Sequence, residues 1–423
     1  MSQRKVALFT VGCKLNQYET EWMGESLEKA GFVRVGFSEQ ADLYIINTCT
    51  VTAQSDYSSR QAIYRAFRRS PGSKIAVVGC YSEVEPDLLN KLPGVALVLG
   101  NEEKKSIGEV ILERLYSETS EIIEQKNGIA GRFKHTRALV KIQDGCNENC
   151  SYCIVPKARG RERSRDAKEI VDEIKGLGDK GFKEVVLTGV HIGKYSQDGM
   201  NLTALLKRIL AETQVERVRL SSIEPKELDG ELIELLSQEK RLCRHMHLPL
   251  QAGSNEILKR MRRNYTVEEY RDLIQEVFDR IEGVTLGADV MVGFPGESEE
   301  DFEKTRGFIL CSPLSYLHVF SYSDRRETLA SEMRDKLTPQ VIHKRSEILH
   351  QIGKEKWEKH LERFTGKKME ILVEGTKDKK TGRLIGLTDN YIRVLMEGDD
   401  GLKNKILQVK VVKREGKFLI GGR

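Results

Sequence analysis

The chain has 423 residues, 39% hydrophobic and 31% charged, with a formal charge of +5 at pH 7. That length exceeds one ordinary core and predicts two to four domains. No apolar run reaches the ~18 residues of a membrane span, and Met1 to Lys5 leads straight into a strand-like segment without an apolar signal core, so the sequence predicts a cytoplasmic protein. All eight cysteines then face a reducing compartment, where metals or burial must account for them. Charge is uneven: from Phe364 onward 14 Lys and Arg oppose 8 Asp and Glu, while the remainder is close to neutral. A basic tail suggests a polyanion partner, nucleic acid first, although a solvated lysine-rich surface would read the same way.

Residues 1 to about 112 alternate strand-length apolar runs (Val6–Thr10, Leu43–Asn47, Lys74–Val78, Val95–Leu99) with helical patterns (Gln17–Ala30, Ala53–Arg69, Glu83–Leu89), which predicts a doubly wound parallel α/β sheet. Cys13, Cys49 and Cys80 each follow one of the first three strands. Ligand sites in such sheets lie beyond the carboxyl ends of the strands, so the three thiols can converge on one inorganic centre. Gly12 and Gly79 beside them permit close backbone approach. A lone cysteine there would be a buried small hydrophobe. Arg60, Arg65, Arg68 and Arg69 give the second helix a positive face, for a phosphate backbone or merely for solvent.

The stretch Gly145-Cys146-Asn147-Glu148-Asn149-Cys150-Ser151-Tyr152-Cys153 carries three cysteines as C-x3-C-x2-C. Tetrahedral zinc normally takes four protein ligands, and the nearest histidine, His135, is more than ten residues away. A zinc knuckle completed by a distant ligand is one reading; a cubane held by three thiolates with one iron left open is the other. The stretch resembles the radical S-adenosylmethionine (SAM) enzymes, in which the open iron binds the SAM amine and carboxylate and an aromatic residue precedes the last cysteine, as Tyr152 does here.

From 132 to 362 six strand candidates alternate with helices, too short for an eightfold barrel and predicting an open (β/α)6 barrel. Strand ends could bind a nucleoside: Thr188 and Gly189 offer backbone groups for the SAM amine, Glu224 suits ribose hydroxyls, and Gly293 could shape an adenine pocket. Two basic runs, Arg159–Arg165 and Lys259–Arg263, suit phosphate contacts or an internal ion-pair network. His245 and His247 share one strand face, as satisfied polar residues more readily than as zinc ligands. Cys243 and Cys311 match no ligand spacing and are expected to be buried. A long helix over Thr338–Phe364 then leads to five short strands in 364–423, the pattern of a small barrel that binds RNA or docks within the chain.

Along essentially its whole length the sequence resembles the methylthiotransferases of the radical SAM class. The resemblance implies that Cys13, Cys49 and Cys80 hold an auxiliary [4Fe–4S] cluster, that Cys146, Cys150 and Cys153 hold the SAM-cleaving one, and that the tail is a TRAM domain. Residues Thr10 to Thr20 are most similar to the branch acting on N6-threonylcarbamoyladenosine at position 37 in the tRNA anticodon loop. That branch implies SAM cleavage to a 5′-deoxyadenosyl radical, sulfur from the auxiliary cluster, methylation by a second SAM, and an electron donor such as a flavodoxin or ferredoxin. The family's Arg-x-Gly-Thr pattern reads Arg325-Arg326-Glu327-Thr328 here, which puts base recognition at that glycine in doubt.

Overall fold

The computed structural model describes residues 3–117 and 136–422. The expected start of the central unit, at 132, lies outside the described residues.

Five parallel strands, β1 (Lys5–Thr10), β2 (Val33–Val35), β3 (Leu43–Thr48), β4 (Lys74–Gly79) and β5 (Val95–Leu99), form a sheet in the order β2-β1-β3-β4-β5. The short edge strand β2 escaped the sequence reading because three residues carry no periodicity. Strand β3 is buried at every position, as a central strand covered on both faces must be. One face packs α1 (Lys14–Lys29) and α5 (Ile107–Tyr116) through Met23, Leu27, Ile107 and Ile111. The other packs α2 (Ala53–Arg69) through Ala62, Ile63 and Ala66. The single helix expected over Glu83–Leu89 is instead two, α3 (Cys80–Val84) and α4 (Pro86–Asn90). Pro86 has no amide hydrogen to continue α3, and it starts the next helix at the position that needs none.

The central unit carries β6 (Ala138–Lys141), a two-residue hairpin of β7 (Gln143–Asp144) and β8 (Arg163–Ser164), then β9 (Glu184–Thr188), β10 (Arg217–Leu220), β11 (His245–His247), β12 (Thr285–Val292) and β13 (Tyr316–Ser321). Apart from the hairpin these pair in parallel and in chain order, as two three-stranded sheets β6-β9-β10 and β11-β12-β13 joined by a parallel bridge from Val218 to Leu242. This is the open six-stranded barrel. The crossovers carry α6 (Val155–Arg159), α7 (Ala167–Asp179), α8 (Leu202–Glu212), α9 (Gly230–Gln238), α10 (Asn255–Arg260), α11 (Val267–Arg280) and α12 (Glu299–Cys311). Cys243 is buried as expected, whereas Cys311 is exposed. The buried stripe of α12 runs through Phe302, Thr305 and Ile309, and a residue two positions beyond Ile309 turns to the opposite side.

Helix α13 (Pro339–Glu362) leads to β14 (Lys368–Lys377), β15 (Leu384–Thr388), β16 (Arg393–Met396), β17 (Ile406–Glu415) and β18 (Phe418–Gly422), a closed barrel in the order β14-β15-β16-β18-β17. It docks on the central unit. Arg217 donates to the Leu387 carbonyl at 3.0 Å, Arg219 to those of Asp389 and Thr388 at 2.8 and 3.0 Å, and Asn390 to that of Gly283 at 2.8 Å.

Candidate active site

Cys13 caps the N-terminus of α1, Cys49 follows β3, and Cys80 opens α3. Sheet topology therefore gathers them at one edge, where each thiol lies in the electrostatic reach of another. Burial pushes Cys49 up to about 11 and raises Cys80 as well, so a bound centre would have to displace their protons. The flanking glycines are fixed by space. A Cβ on Gly12, at φ +107, would lie 2.6 Å from Cys49 Cβ, and one on Gly79, at φ +102, 2.6 Å from the Thr48 carbonyl oxygen.

The second cysteine loop hangs from the β7–β8 hairpin. Cys146 N–H donates to the Gly160 carbonyl at 3.1 Å, and Ser151 N–H to that of Met261 at 3.0 Å. Gly145 Cα lies so close to Arg161 that an added Cβ would stand 2.0 Å from its carbonyl oxygen. Donors converge on the sulfurs: Arg263 Nη1 on Cys150 Sγ at 3.3 Å, Glu148 N–H on Cys146 Sγ at 3.4 Å, with His191 Nδ1 3.7 Å from Cys146 Sγ. Burial pushes Cys153 up to about 12 and raises Cys150, which Arg263 opposes. Burial works against a charged His191, yet its contacts with Cys146 and Glu227 hold it at about 10.

Among the described residues, only His247, Asp289 and His318 bring three ligand atoms all within 4.8 Å of one another. Neither cysteine set is gathered as tightly as one ion demands. Three thiols in each set, backed by glycines and in the second loop faced by Arg263 and His191, match the thiolate ligands of a cubane.

A cavity of about 940 Å³ lies between the two units. Gly12, Cys13, Lys14 and Cys49 line it from the first sheet, Thr188, Gly189, Ser221 and Ser222 from the ends of β9 and β10, His247, Asp289 and His318 from the barrel wall, and Tyr391 from the tail barrel. Of the nucleoside-binding candidates, Thr188 and Gly189 lie on this lining, while Tyr152, Glu224 and Gly293 do not. Tyr152 packs against the central core. Glu224 is ion-paired with the Arg263 that reaches Cys150. Gly293, at φ +77, donates its N–H to Glu297 at 2.8 Å, and a Cβ there would meet Ile342 Cγ1 at 2.4 Å.

Most of the basic run after the cysteine loop is spent inside the protein. Arg159 donates to Asn16 Oδ1 at 2.5 Å, Glu19 Oε1 at 3.1 Å and Asp144 Oδ1 at 2.9 Å, Lys104 meets Glu19 at 2.6 Å, and Arg165 meets Glu173 at 2.7 Å. Two opposed carboxylates and their cations thus clamp the first sheet to the loop that carries Cys153. Glu327 adopts φ +65, the left-handed region that favours glycine, and pairs with Lys157. Its neighbour Arg325 crosses to the first unit, donating to Asp56 Oδ2 at 2.6 Å and to the Thr50 carbonyl at 3.1 Å.

Sequence reasoning put His245 and His247 on one face but missed the rest of the cavity wall, Asp289, Tyr316 and His318. His247 Nε2 lies 2.9 Å and His318 Nδ1 3.4 Å from Asp289 Oδ1, and His245 and His247 both reach Tyr316 Oη, at 2.8 and 3.0 Å. Alternation of Tyr316, His318 and Phe320 along β13 was the available signal.

An open six-stranded parallel barrel with a three-cysteine loop after its first strand defines a radical SAM protein. Family models agree: the radical SAM superfamily matches residues 140–309, an uncharacterized family designated UPF0004 matches 5–100, and the TRAM domain matches 362–422. Threonylcarbamoyladenosine tRNA methylthiotransferases MtaB of Aquifex aeolicus and Bacillus subtilis are 41% and 40% identical over 375 and 371 residues, covering 86% and 83% of this chain and 92% and 81% of theirs. The tRNA-2-methylthio-N(6)-dimethylallyladenosine synthase of Clostridium botulinum strain Okra is 34% identical, covering 97% of this chain and 95% of its own. The chain belongs to the radical SAM methylthiotransferase family, whose cofactors are SAM and two [4Fe–4S] clusters. In fold it is similar to the radical SAM methyltransferase TsrM of Kitasatospora setae, with a TM-score of 0.53, 18% identity, and coverage of 76% of this chain and 75% of that one.

Proposed function

We propose that this protein adds a methylthio group to C2 of N6-threonylcarbamoyladenosine at position 37 of tRNA, giving the 2-methylthio nucleoside. The observation that carries the reading is the cavity of about 940 Å³ that runs from Cys13 and Cys49 to the strand ends at Thr188 and Gly189. A base that entered it would lie beside Cys13 and Cys49. The greater likeness to relatives named for threonylcarbamoyladenosine, 41% against 34%, supports the choice of nucleoside.

In this reading residues 1–112, 132–362 and 364–423 act as three units. Cys146, Cys150 and Cys153 hold the cluster that binds SAM, and Cys13, Cys49 and Cys80 hold the auxiliary one. When bound, the clusters and SAM supply the one-electron and sulfur chemistry that side-chain acids and bases cannot, because the C2–H bond of adenine is both strong and non-acidic. The chain's own part is placement. Arg263 and His191 offset negative charge on the cluster thiolates, Thr188 and Gly189 present backbone to the SAM amine, and Tyr152 closes the loop against the core. Glu224 serves a ribose hydroxyl through a carboxylate oriented by Arg263, and Gly293 sets the turn that shapes the adenine pocket. Exposed lysines of the tail barrel bind the tRNA backbone, and a flavodoxin or ferredoxin supplies electrons.

The test is anaerobic reconstitution with iron, sulfide, SAM, a reductant and tRNA bearing either the threonylcarbamoyl or the isopentenyl nucleoside at position 37, followed by nucleoside mass spectrometry. Methylthiolation of the first tRNA alone is expected. Product from the second alone would assign the chain to the isopentenyl reading.

A further inference from the structure

We propose that Lys14 receives the carboxylate of the threonyl group on the substrate base and thereby selects the N6 substituent. This inference rests on the reading above and deepens it.

The residues from Thr10 to Thr20 that mark the branch divide by use. Asn16 donates to the Val11 and Thr48 carbonyls at 2.8 and 3.0 Å and accepts from Arg159. Glu19 is the buried anion of the clamp, and Thr20 Oγ1 bonds Thr10 Oγ1 at 2.8 Å and Asn47 Nδ2 at 3.0 Å. Asn16 and Glu19 join the two units through Arg159, Thr20 is spent within the first, and none of the three is left for a substrate. Lys14 is different: it lines the cavity immediately after Cys13.

Charge on the cavity wall is unbalanced at that residue. Asp289 is the only carboxylate among the described lining residues, and His247 and His318 already engage it. Lys14 is the only lysine or arginine among them. The neighbouring cations are matched, Arg219 by Glu184 at 2.7 Å and Arg137 by Glu374 at 3.4 Å. Lys14 is part-buried on the lining, and a part-buried lysine is satisfied best by an anion that hydrogen-bonds it, so it is the group on this wall suited to receive a substrate carboxylate. In adenine, N1 lies between C2 and C6, and C6 carries N6. A base with C2 turned to the cluster at Cys13 therefore carries its N6 substituent along the residues beside Cys13. An isopentenyl group offers that ammonium nothing; a threonylcarbamoyl group offers a carboxylate.

The experiment compares kcat/KM for tRNA carrying the natural threonylcarbamoyl nucleoside with tRNA carrying its carboxamide analogue, for wild type, Lys14→Gln and Lys14→Arg. Iron content and thermal melting report on folding and cluster loading. A hydrogen bond to a charged partner corresponds to roughly a tenfold to hundredfold preference for the carboxylate in wild type. Lys14→Gln should reduce that ratio to about one, and Lys14→Arg should retain most of it. Because the readout is a ratio within each enzyme, a general loss of activity does not imitate it, and the wild-type ratio alone tests the claim if Lys14→Gln fails to fold. A wild-type ratio near one, or an unchanged ratio in Lys14→Gln, overturns the inference. An equal loss on both tRNAs overturns it too and places Lys14 on a backbone phosphate. No product from either tRNA with wild type overturns the threonylcarbamoyl reading itself.

Discussion

Replacing Gly145 with alanine tests whether the three-cysteine loop is built by backbone proximity. At φ +73 the residue lies in the left-handed region, which costs an alanine roughly 1–2 kcal/mol. Its Cβ would lie 2.0 Å from the Arg161 carbonyl oxygen and 2.8 Å from that of Gly160, where real Cβ atoms essentially never come under 3.0 Å. The Arg161 carbonyl must then retreat by about 1 Å. Gly160 moves with it, and its carbonyl accepts the Cys146 N–H at 3.1 Å; loss of that bond adds about 1 kcal/mol. Together roughly 2–3 kcal/mol oppose the loop geometry, a shift of about a hundredfold at 1.4 kcal/mol per decade. Iron and acid-labile sulfide, counted after anaerobic reconstitution, should fall from about eight per chain to about four, and SAM cleavage should be lost. Wild-type iron content with wild-type SAM cleavage would refute the argument.

Replacing Cys13, Cys49 and Cys80 together with alanine should also halve the iron, but leave reductive SAM cleavage intact and abolish methylthiolation, measured by metal analysis and product chromatography. Exchanging the exposed Lys379, Lys380, Lys405 and Lys410 for glutamine should lower the slope of log affinity for tRNA against log salt by about 0.7 to 0.9 for each lysine that neutralises a phosphate. These substitutions test the tail more cleanly than its removal, which would take away the carbonyls that Arg217 and Arg219 bond. His360 is buried between Thr285 Oγ1 at 2.8 Å and Ser315 Oγ at 3.1 Å, and burial, aided by Arg363, draws its pKa down to about 3. A histidine whose pKa is lower folded than unfolded adds stability above about pH 6.5 and loses it as pH falls toward the folded value. Between pH 6.5 and 5 this amounts to roughly 2 kcal/mol. Melting curves at the two pH values should show a loss smaller in His360→Gln than in wild type by about that amount, the buried His245 contributing to both.

The sequence disclosed whatever depends on local pattern. Cys13, Cys49 and Cys80 were legible because each follows a strand of a parallel sheet, and topology alone then brings them together. The tail barrel was legible from five short strands split by Gly- and Asp-rich turns. Partners distant in the chain were not: nothing near Arg159 names Glu19, 140 residues away, so the basic run read equally well as a phosphate site or as the clamp it forms. Glu327 carries a second lesson. Its left-handed backbone shows why a glycine suits that position, while its side chain pairs with Lys157. Alternation along β13 signals Tyr316 and His318, but their meeting with Asp289 arises from β12 and β13 in register, which no single stretch encodes.

Nucleoside mass spectrometry of tRNA from cells with and without this protein tests the central claim most directly. The account predicts that 2-methylthio-N6-threonylcarbamoyladenosine disappears with the protein, its unmethylthiolated precursor accumulates, and the isopentenyl nucleoside keeps its methylthio group. Loss of the methylthio group from the isopentenyl nucleoside instead, or no change in either, would contradict it.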